Sequence, residues 1–506
     1  MSDERPILVE GRNCWQIEYA RHVSFLIDGA AYFSALASAI ARAQRSVFII
    51  GWDVNPRVSL SRKKGKQFEF KEFLNKLVAA RPDLRIYVLC WDHAFIYAFE
   101  REWFPAFRFR ASSHPHIHFQ LDGNHPFTGS QHQKIVVIDD SIAFIGGVDL
   151  TTYRWDQPGH NLNDPQRTDP DGIPYGPVHD VQMAVDDDAA AALGIIARER
   201  WRRATDHTIR SDFFNDEAWP DQLKADLENV QVGIARTIPA YKGMHEVREV
   251  EKLYIDSIQA AKRSIYIENQ YITSDLIGRM LADRLSGPDS PEIILVDHRE
   301  YTGVLESNTM GVLRSRFIER LRHADLYKKL KLYYPEVGTR PKMSVNIHSK
   351  VMIIDDRFLR IGSSNLSNRS MGLDSECDIA VESFGREKVE AKISEFRNRL
   401  LAEHTGTTVE QFAQFYCETK SLIRTIELCP QSSGNALIPL PSRPQRWFEA
   451  LVPGPALIDP DQPLTFKRIL HELQTDRNLQ RLSLTIFAIF GLLFFSMLGL
   501  FKNKNE

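Results

Sequence analysis

The sequence predicts an α/β fold built twice, as two similar mixed-sheet halves packed about a pseudo-twofold axis with the active site between them, plus a C-terminal membrane helix. Three observations carry this. A helix-then-strand pattern recurs at a spacing of 218 residues, a His-x-Lys motif recurs at a spacing of 216, and residues 482–501 form an uncharged run of twenty.

The repeat is plainest in AIARAQRSVFIIGWDV (residues 39–54) and SIQAAKRSIYIENQYI (residues 257–272). Each reads as a short helical pattern, a basic residue and Ser, then an apolar run typical of a buried strand. LRIYVLCWD (84–92) and EIILVDHRE (292–300) are further apolar runs that end in polar residues. They predict parallel strands whose polar ends face a site. Residues 154–180 are crowded with Pro, Gly, Asp and Asn, which predicts a long ordered loop, and long loops in compact domains are often functional. Residues 187–205 have helical spacing and close the first half. The expected units are thus 1–205, 206–429, a linker and amphipathic segment over 430–481 with eight prolines between Pro430 and Pro463, and a transmembrane helix over 482–501.

A helix of twenty residues rising about 1.5 Å each spans the roughly 30 Å hydrocarbon core of a bilayer. Arg477 and Arg481 precede the run and Lys502 and Lys504 follow it, so charge bias does not set its orientation. The 506 residues include 63 basic and 66 acidic ones, a net charge of −3, which excludes a global cationic field for nucleic acid. Recognition of phosphate has to be local. Five cysteines without C-x-x-C spacing predict neither a zinc knuckle nor a disulfide framework. With no apolar leader at the N-terminus, the expectation is a catalytic body on the cytoplasmic side of a membrane.

His132, Lys134 and Asp139 are followed by Gly146-Gly147-Val148-Asp149; His348, Lys350 and Asp355 are followed, at the same spacing, by Gly362-Ser363-Ser364-Asn365. Residues two apart in a strand share a face, so each His points with its Lys. Asp149 and Asn365 can donate or accept at the pocket floor. If the halves converge, two imidazoles and two ammonium groups surround one phosphate. One imidazole attacks phosphorus, the other protonates the leaving alkoxide, and the lysines stabilise the nonbridging oxygens, a role metal ions play elsewhere. The expected catalytic residues are therefore His132, Lys134, Asp139, His348, Lys350 and Asp355, with no cofactor and no metal. His114, His116 and His118 read as alternation along a strand, His125 and His179 as structural or rim residues, Glu268 as a supporting hydrogen-bonder, and the basic run at 62–66 as a solvated loop.

This duplicated motif resembles that of the phospholipase D superfamily over approximately residues 8–400. Ile267-Glu268-Asn269-Gln270-Tyr271, Arg154-Trp155-Asp156 and Asn368-Arg369-Ser370 with Ser375-Glu376 are similar to segments of its phospholipid-directed members. The resemblance implies a glycerophospholipid substrate at a membrane surface, a phosphohistidine on His132 with His348 as the acid, and transfer to alcohols as well as water. It also implies that an acidic residue from each half orients the histidine of the other, Glu376 for His132 and Asp156 for His348, with Asp149, Glu268, Asn269 and Asn365 in support. A cardiolipin-synthase-like phosphatidyltransferase, a nuclease and a catalytically silent membrane-tethering module compete with this reading. Intact His, Lys and Asp in both copies speak against the silent module, and the absent basic excess speaks against a nuclease. Headgroup, acceptor and oligomeric state stay open.

Overall fold

A computed structural model describes residues 5–62, 68–92, 109, 113–211, 218–301, 304–430, 434–441 and 458–463. The first half contains β1 (Gln16–Ile27), β2 (Ser46–Gly51), β3 (Arg85–Trp91), β4 (Ile117–Asp122), β5 (Ile135–Ile138), β6 (Ile142–Gly146), β7 (Val178–His179) and β8 (Val181–Asp186). The second contains β9 (Leu227–Ile238), β10 (Val247–Arg248), β11 (Ser264–Asn269), β12 (Glu292–Val296), β13 (Leu330–Val337), β14 (Met343–Ser344), β15 (Asn346–Ile347), β16 (Lys350–Ile354), β17 (Phe358–Gly362), β18 (Glu376–Glu382) and β19 (Ala436–Pro439).

Neighbours run β4-β3-β2-β5-β6-β8-β1 in one half and β13-β12-β11-β16-β17-β18-β9 in the other. The order is the same twice. In each half the first three strands are parallel and the rest antiparallel, and β1 pairs antiparallel with β9 to join the two sheets. This is a mixed α/β fold.

Period-two alternation explains the layers. Phe48 and Ile50 of β2 point into a central apolar cluster shared by both halves, whereas Val47 and Ile49 point into an outer cluster under the first half's helices. In the second half Tyr266 faces the centre, and Ile265 and Ile267 face outward. Helices Asp187–Thr205 and Glu387–Thr405 lie in the central cluster, so every strand near the middle is covered on both sides.

Several expectations fare differently. The stretch 430–481 is more than a linker: β19 pairs with β13, and the fully buried Asp459 accepts from the backbone N–H of Asn368 and Arg369. The 482–501 run and residues 63–66 of the basic stretch lie outside the described residues, among which no helix is long and apolar enough to cross a membrane. His118 on β4 stacks on Tyr87, whereas His116 lies in the turn before β4, 3.0 Å from Arg85.

Asp139 and Asp355 are corrected. Each begins the turn after its strand, with Asp139 and Asp140 at φ 51° and 50° and Asp355 and Asp356 at 53° and 63°, the left-handed conformation that Asp tolerates. Asp139 accepts from the N–H of Gln44, Arg45 and Ser46 at 2.6, 2.8 and 2.7 Å. Asp355 does the same for Lys262, Arg263 and Ser264 at 2.6, 2.7 and 2.7 Å. Both anchor the start of the neighbouring parallel strand, at the opposite end from the His-Lys pair. Asp139→Ala is expected to lower unfolding free energy by about 2 kcal/mol, since three partly buried N–H groups lose a charged acceptor, while kcat at 20 °C stays within about threefold of wild type. Urea unfolding beside an activity assay checks both halves of that statement.

Candidate active site

The carboxyl ends of the parallel strands in each half point the same way, and the His-Lys segments enter there. Ile135 pairs with Ile50 near the end of β2, and Lys350 pairs with Asn269 at the end of β11. Open α/β sheets place ligands at this edge. The backbone N–H of His132 donates to Ser375 O at 3.0 Å, and that of His348 donates to His179 O at 2.8 Å. Each histidine is therefore fastened to the opposite half.

The orienting carboxylates cross over as well. His132 Nδ1 lies 3.0 Å from Glu376 Oε2 and His348 Nδ1 lies 2.6 Å from Asp180 Oδ2. Glu376 also accepts from the hydroxyls of Ser363 at 2.5 Å and Ser370 at 2.7 Å. With Nδ1–H donated to a carboxylate, the Nε2 lone pair of each ring is free for the pocket. The partner of His348 is thus Asp180, and the expectation of Asp156 is corrected. Asp156 binds His160, Arg167 and the N–H of Val178 instead. Strand geometry accounts for the difference: Gln182 lies opposite Gly146 in β8 as Asp378 lies opposite Gly362 in β18, so Asp180 occupies the position of Glu376. Gly147 is required beside it, because a Cβ there would collide with the Asp180 carboxylate.

Lys134 Nζ lies 3.2 Å from Asp149 Oδ2 and donates to His132 O at 3.1 Å, while Asp149 Oδ1 accepts from Trp52 N–H at 2.9 Å. Lys350 Nζ donates to Gln270 Oε1 at 2.9 Å and to His348 O. Asn269 Oδ1 ties down Leu366 N–H at 2.9 Å, and among the described residues Asn269 Nδ2 and Asn365 Oδ1 are buried without a hydrogen-bond partner. Glu268 is turned to the central core. It accepts from Ser349 Oγ at 2.7 Å and Tyr266 OH at 2.5 Å, and it meets His179 and His404 at 3.1 and 3.0 Å.

Burial and then the fields of Lys134 and Lys350 hold His132 well below 6.5; burial, Lys350, Arg154 and Lys134 do the same for His348. Burial also pushes Lys350 down and Glu376 and Asp180 up. Asp149 sits low although burial opposes it, because Lys134 and Arg154 outweigh the burial. A phosphodiester anion bound beside these groups would favour their charged forms and raise His348 and Lys350 again. Arg154, read from the sequence only as part of a flanking motif, acts on His348, Lys350, Asp180 and Asp149 and belongs with the site.

Comparison with known proteins finds similar chains. Residues 254–400 match the family described as "Cardiolipin synthase, PLD-like domain". Among curated proteins the chain is 24% identical to Phospholipase D A of Dictyostelium discoideum over 76% of its own length and 35% of the relative's. It is also 24% identical to Phospholipase D1 of Saccharomyces cerevisiae (81% and 31%) and 22% identical to Phospholipase D alpha 1 of Ricinus communis (74% and 64%). The chain spans about a third of the length of the first two. Phosphatidylserine synthase of Haemophilus influenzae Rd KW20 shares the fold, with a TM-score of 0.51 and 12% identity over 79% of this chain and 93% of that one.

Proposed function

We propose, for a chain that belongs to the phospholipase D superfamily, that it cleaves the phosphodiester of glycerophospholipids to phosphatidic acid through a phosphohistidine intermediate. The observation that carries the reading is the crossed pair of histidine–carboxylate contacts, His132 with Glu376 and His348 with Asp180. It gives one site two imidazoles in different surroundings.

His132 Nε2 attacks phosphorus in line with the headgroup oxygen, and His348 delivers the proton that the departing alkoxide needs. Lys134 and Lys350 hold the nonbridging oxygens, and Asn269 offers a buried amide N–H that has no partner among the described residues. His348, now neutral, takes a proton from water or an alcohol, which displaces His132 and yields phosphatidic acid or a transphosphatidylation product. The uncharged run at 482–501 anchors this body at a bilayer surface.

Purified full-length chain incubated with mixed phospholipid vesicles and ethanol is expected to form phosphatidic acid and phosphatidylethanol together. Phosphatidic acid without phosphatidylethanol would remove the covalent intermediate. Absence of both from every phospholipid, with folded protein, would remove the lipid substrate.

A further inference from the structure

Beside Asp180 and the backbone of His348, four side chains from distant parts of the chain meet. They are Asp28 at the start of the helix Asp28–Ile40, His160 in the long loop, His179 of β7, and Glu403 near the end of the helix Glu387–Thr405. Asp28 and His179 are fully buried, His160 is 1% exposed, and the Glu403 side chain is 6% exposed. His160 Nε2 lies 2.8 Å from Glu403 Oε1, and His179 Nδ1 lies 3.0 Å from Asp28 Oδ1 and 3.5 Å from Glu403 Oε1. Close as they are, none of these four atoms is aligned to hydrogen-bond another group, and neither is Asp28 Oδ2.

We propose that Asp28, His160, His179 and Glu403 form a buried divalent-metal site whose donor set suits zinc, and that the metal braces the two short links that hold Asp180, between β7 and β8, and His348, between β15 and β16. All candidate ligand atoms lie within 4.8 Å of one another. Four ligands at about 2.0–2.1 Å in a tetrahedron stand roughly 3.3 Å apart, inside the spread of the observed contacts. Two carboxylates balance a dication, and two neutral imidazoles complete a mixed nitrogen–oxygen set.

The surroundings strengthen the assignment. The second ring nitrogen of each histidine already faces a carboxylate, His160 Nδ1 at 3.0 Å from Asp156 and His179 Nε2 at 3.1 Å from Glu268. Metal-bound histidines are held by such partners, which fix the tautomer and leave the other lone pair for the ion. Arg167 in turn holds Asp156, and His404 holds Glu268. Hydrogen-bonded imidazolium ions between carboxylates would have the same net charge, and the metal content of the protein separates the two arrangements.

The link to the pocket is direct. His179 precedes Asp180, its carbonyl accepts from His348 N–H at 2.8 Å, and Asp28 N–H donates to Asp180 O at 2.8 Å. Glu268 fastens Ser349, between His348 and Lys350. The ion would stabilise the position of the proton donor and take no part in bond making.

Untagged full-length chain, produced with zinc in the medium and dialysed, is expected to carry about one zinc per chain by plasma mass spectrometry. Glu403→Gln and His160→Ala are each expected to lose at least about four-fifths of it. Stripping the wild type with dipicolinate should lower its Tm by roughly 5 °C or more, and added zinc should restore it. X-ray absorption on the wild type should show only nitrogen and oxygen neighbours, including imidazole, a readout independent of whether the variants fold. A wild type with under about 0.1 metal per chain and a Tm indifferent to chelator and zinc overturns the proposal. So does sulfur in the first coordination sphere, or full zinc content in both variants.

Discussion

Replacing His132 with Ala is expected to lower turnover of a phospholipid by at least about 10⁴-fold, and no improvement of the leaving group will rescue it, because the atom that bonds to phosphorus is gone. His348→Ala should behave differently. A general acid contributes about 10²–10⁴-fold when the leaving group is a poor one. A p-nitrophenyl phosphodiester analogue leaves without a proton, so this variant should release a stoichiometric burst of p-nitrophenol and then stall. The base that activates water is missing, and a phosphatidyl group should be found on His132 by mass spectrometry of the stalled enzyme. A burst in His132→Ala and none in His348→Ala would exchange the two roles. Failure of both to burst would remove the covalent route.

The second large effect concerns the crossed carboxylates. Asp180→Asn and Glu376→Gln are each expected to lower kcat by about 10³-fold with KM changed little. The amide can face the ring nitrogen with its NH₂ group and favour the wrong tautomer, as happens when such an orienting acid is replaced by its amide. Asp180→Asn should also alter the pH profile. Removing a negative charge beside His348 makes its protonated form harder to hold, so its pKa falls. The decline of kcat on raising the pH should therefore begin at a lower pH than in wild type. In wild type the alkaline limb of kcat should lie above that of kcat/KM, since burial, Lys350, Arg154 and Lys134 hold His348 down in the free enzyme and the anionic phosphate raises it in the complex. Asp156→Asn tests the pairing against the one expected from the sequence. It should leave the shape of the pH profile unchanged, because Asp156 contacts His160, Arg167 and Val178 and makes no hydrogen bond to His348.

The two His-x-Lys pairs were legible because everything that marks them is local: one face of an extended segment, two residues apart, recurring in a second copy. The doubled α/β order was legible for the same reason. Strand parity could have corrected Asp139 and Asp355. In an extended chain 132, 134, 136 and 138 share a face and 139 does not, and five residues at about 3.3 Å carry it roughly 16 Å away. The double Asp is a turn signal, and its adjacency to the motif disguised it. Asp180 was harder to find. It lies 168 positions from the ring it orients, and only alignment of β8 on β18 through their glycine neighbours brings it level with Glu376. The cluster of Asp28, His160, His179 and Glu403 could not be read from spacing at all, since its members come from a helix start, a loop, a two-residue strand and a helix end.

The exchange of carboxylates between halves has a consequence for inheritance. Neither half supplies the carboxylate that faces its own histidine, so on the proposed mechanism neither could be lent to another protein as a unit, and a duplicated ancestor of one half would have had to pair with a copy of itself. Once fused, the copies could drift apart only in step. A shorter acid at position 180 answers to a ring at 348, and a longer one at 376, fastened by two serines, answers to a ring at 132. That freedom to differ at two addresses while remaining mutually dependent is how a symmetric ancestor could divide attack and protonation between two imidazoles.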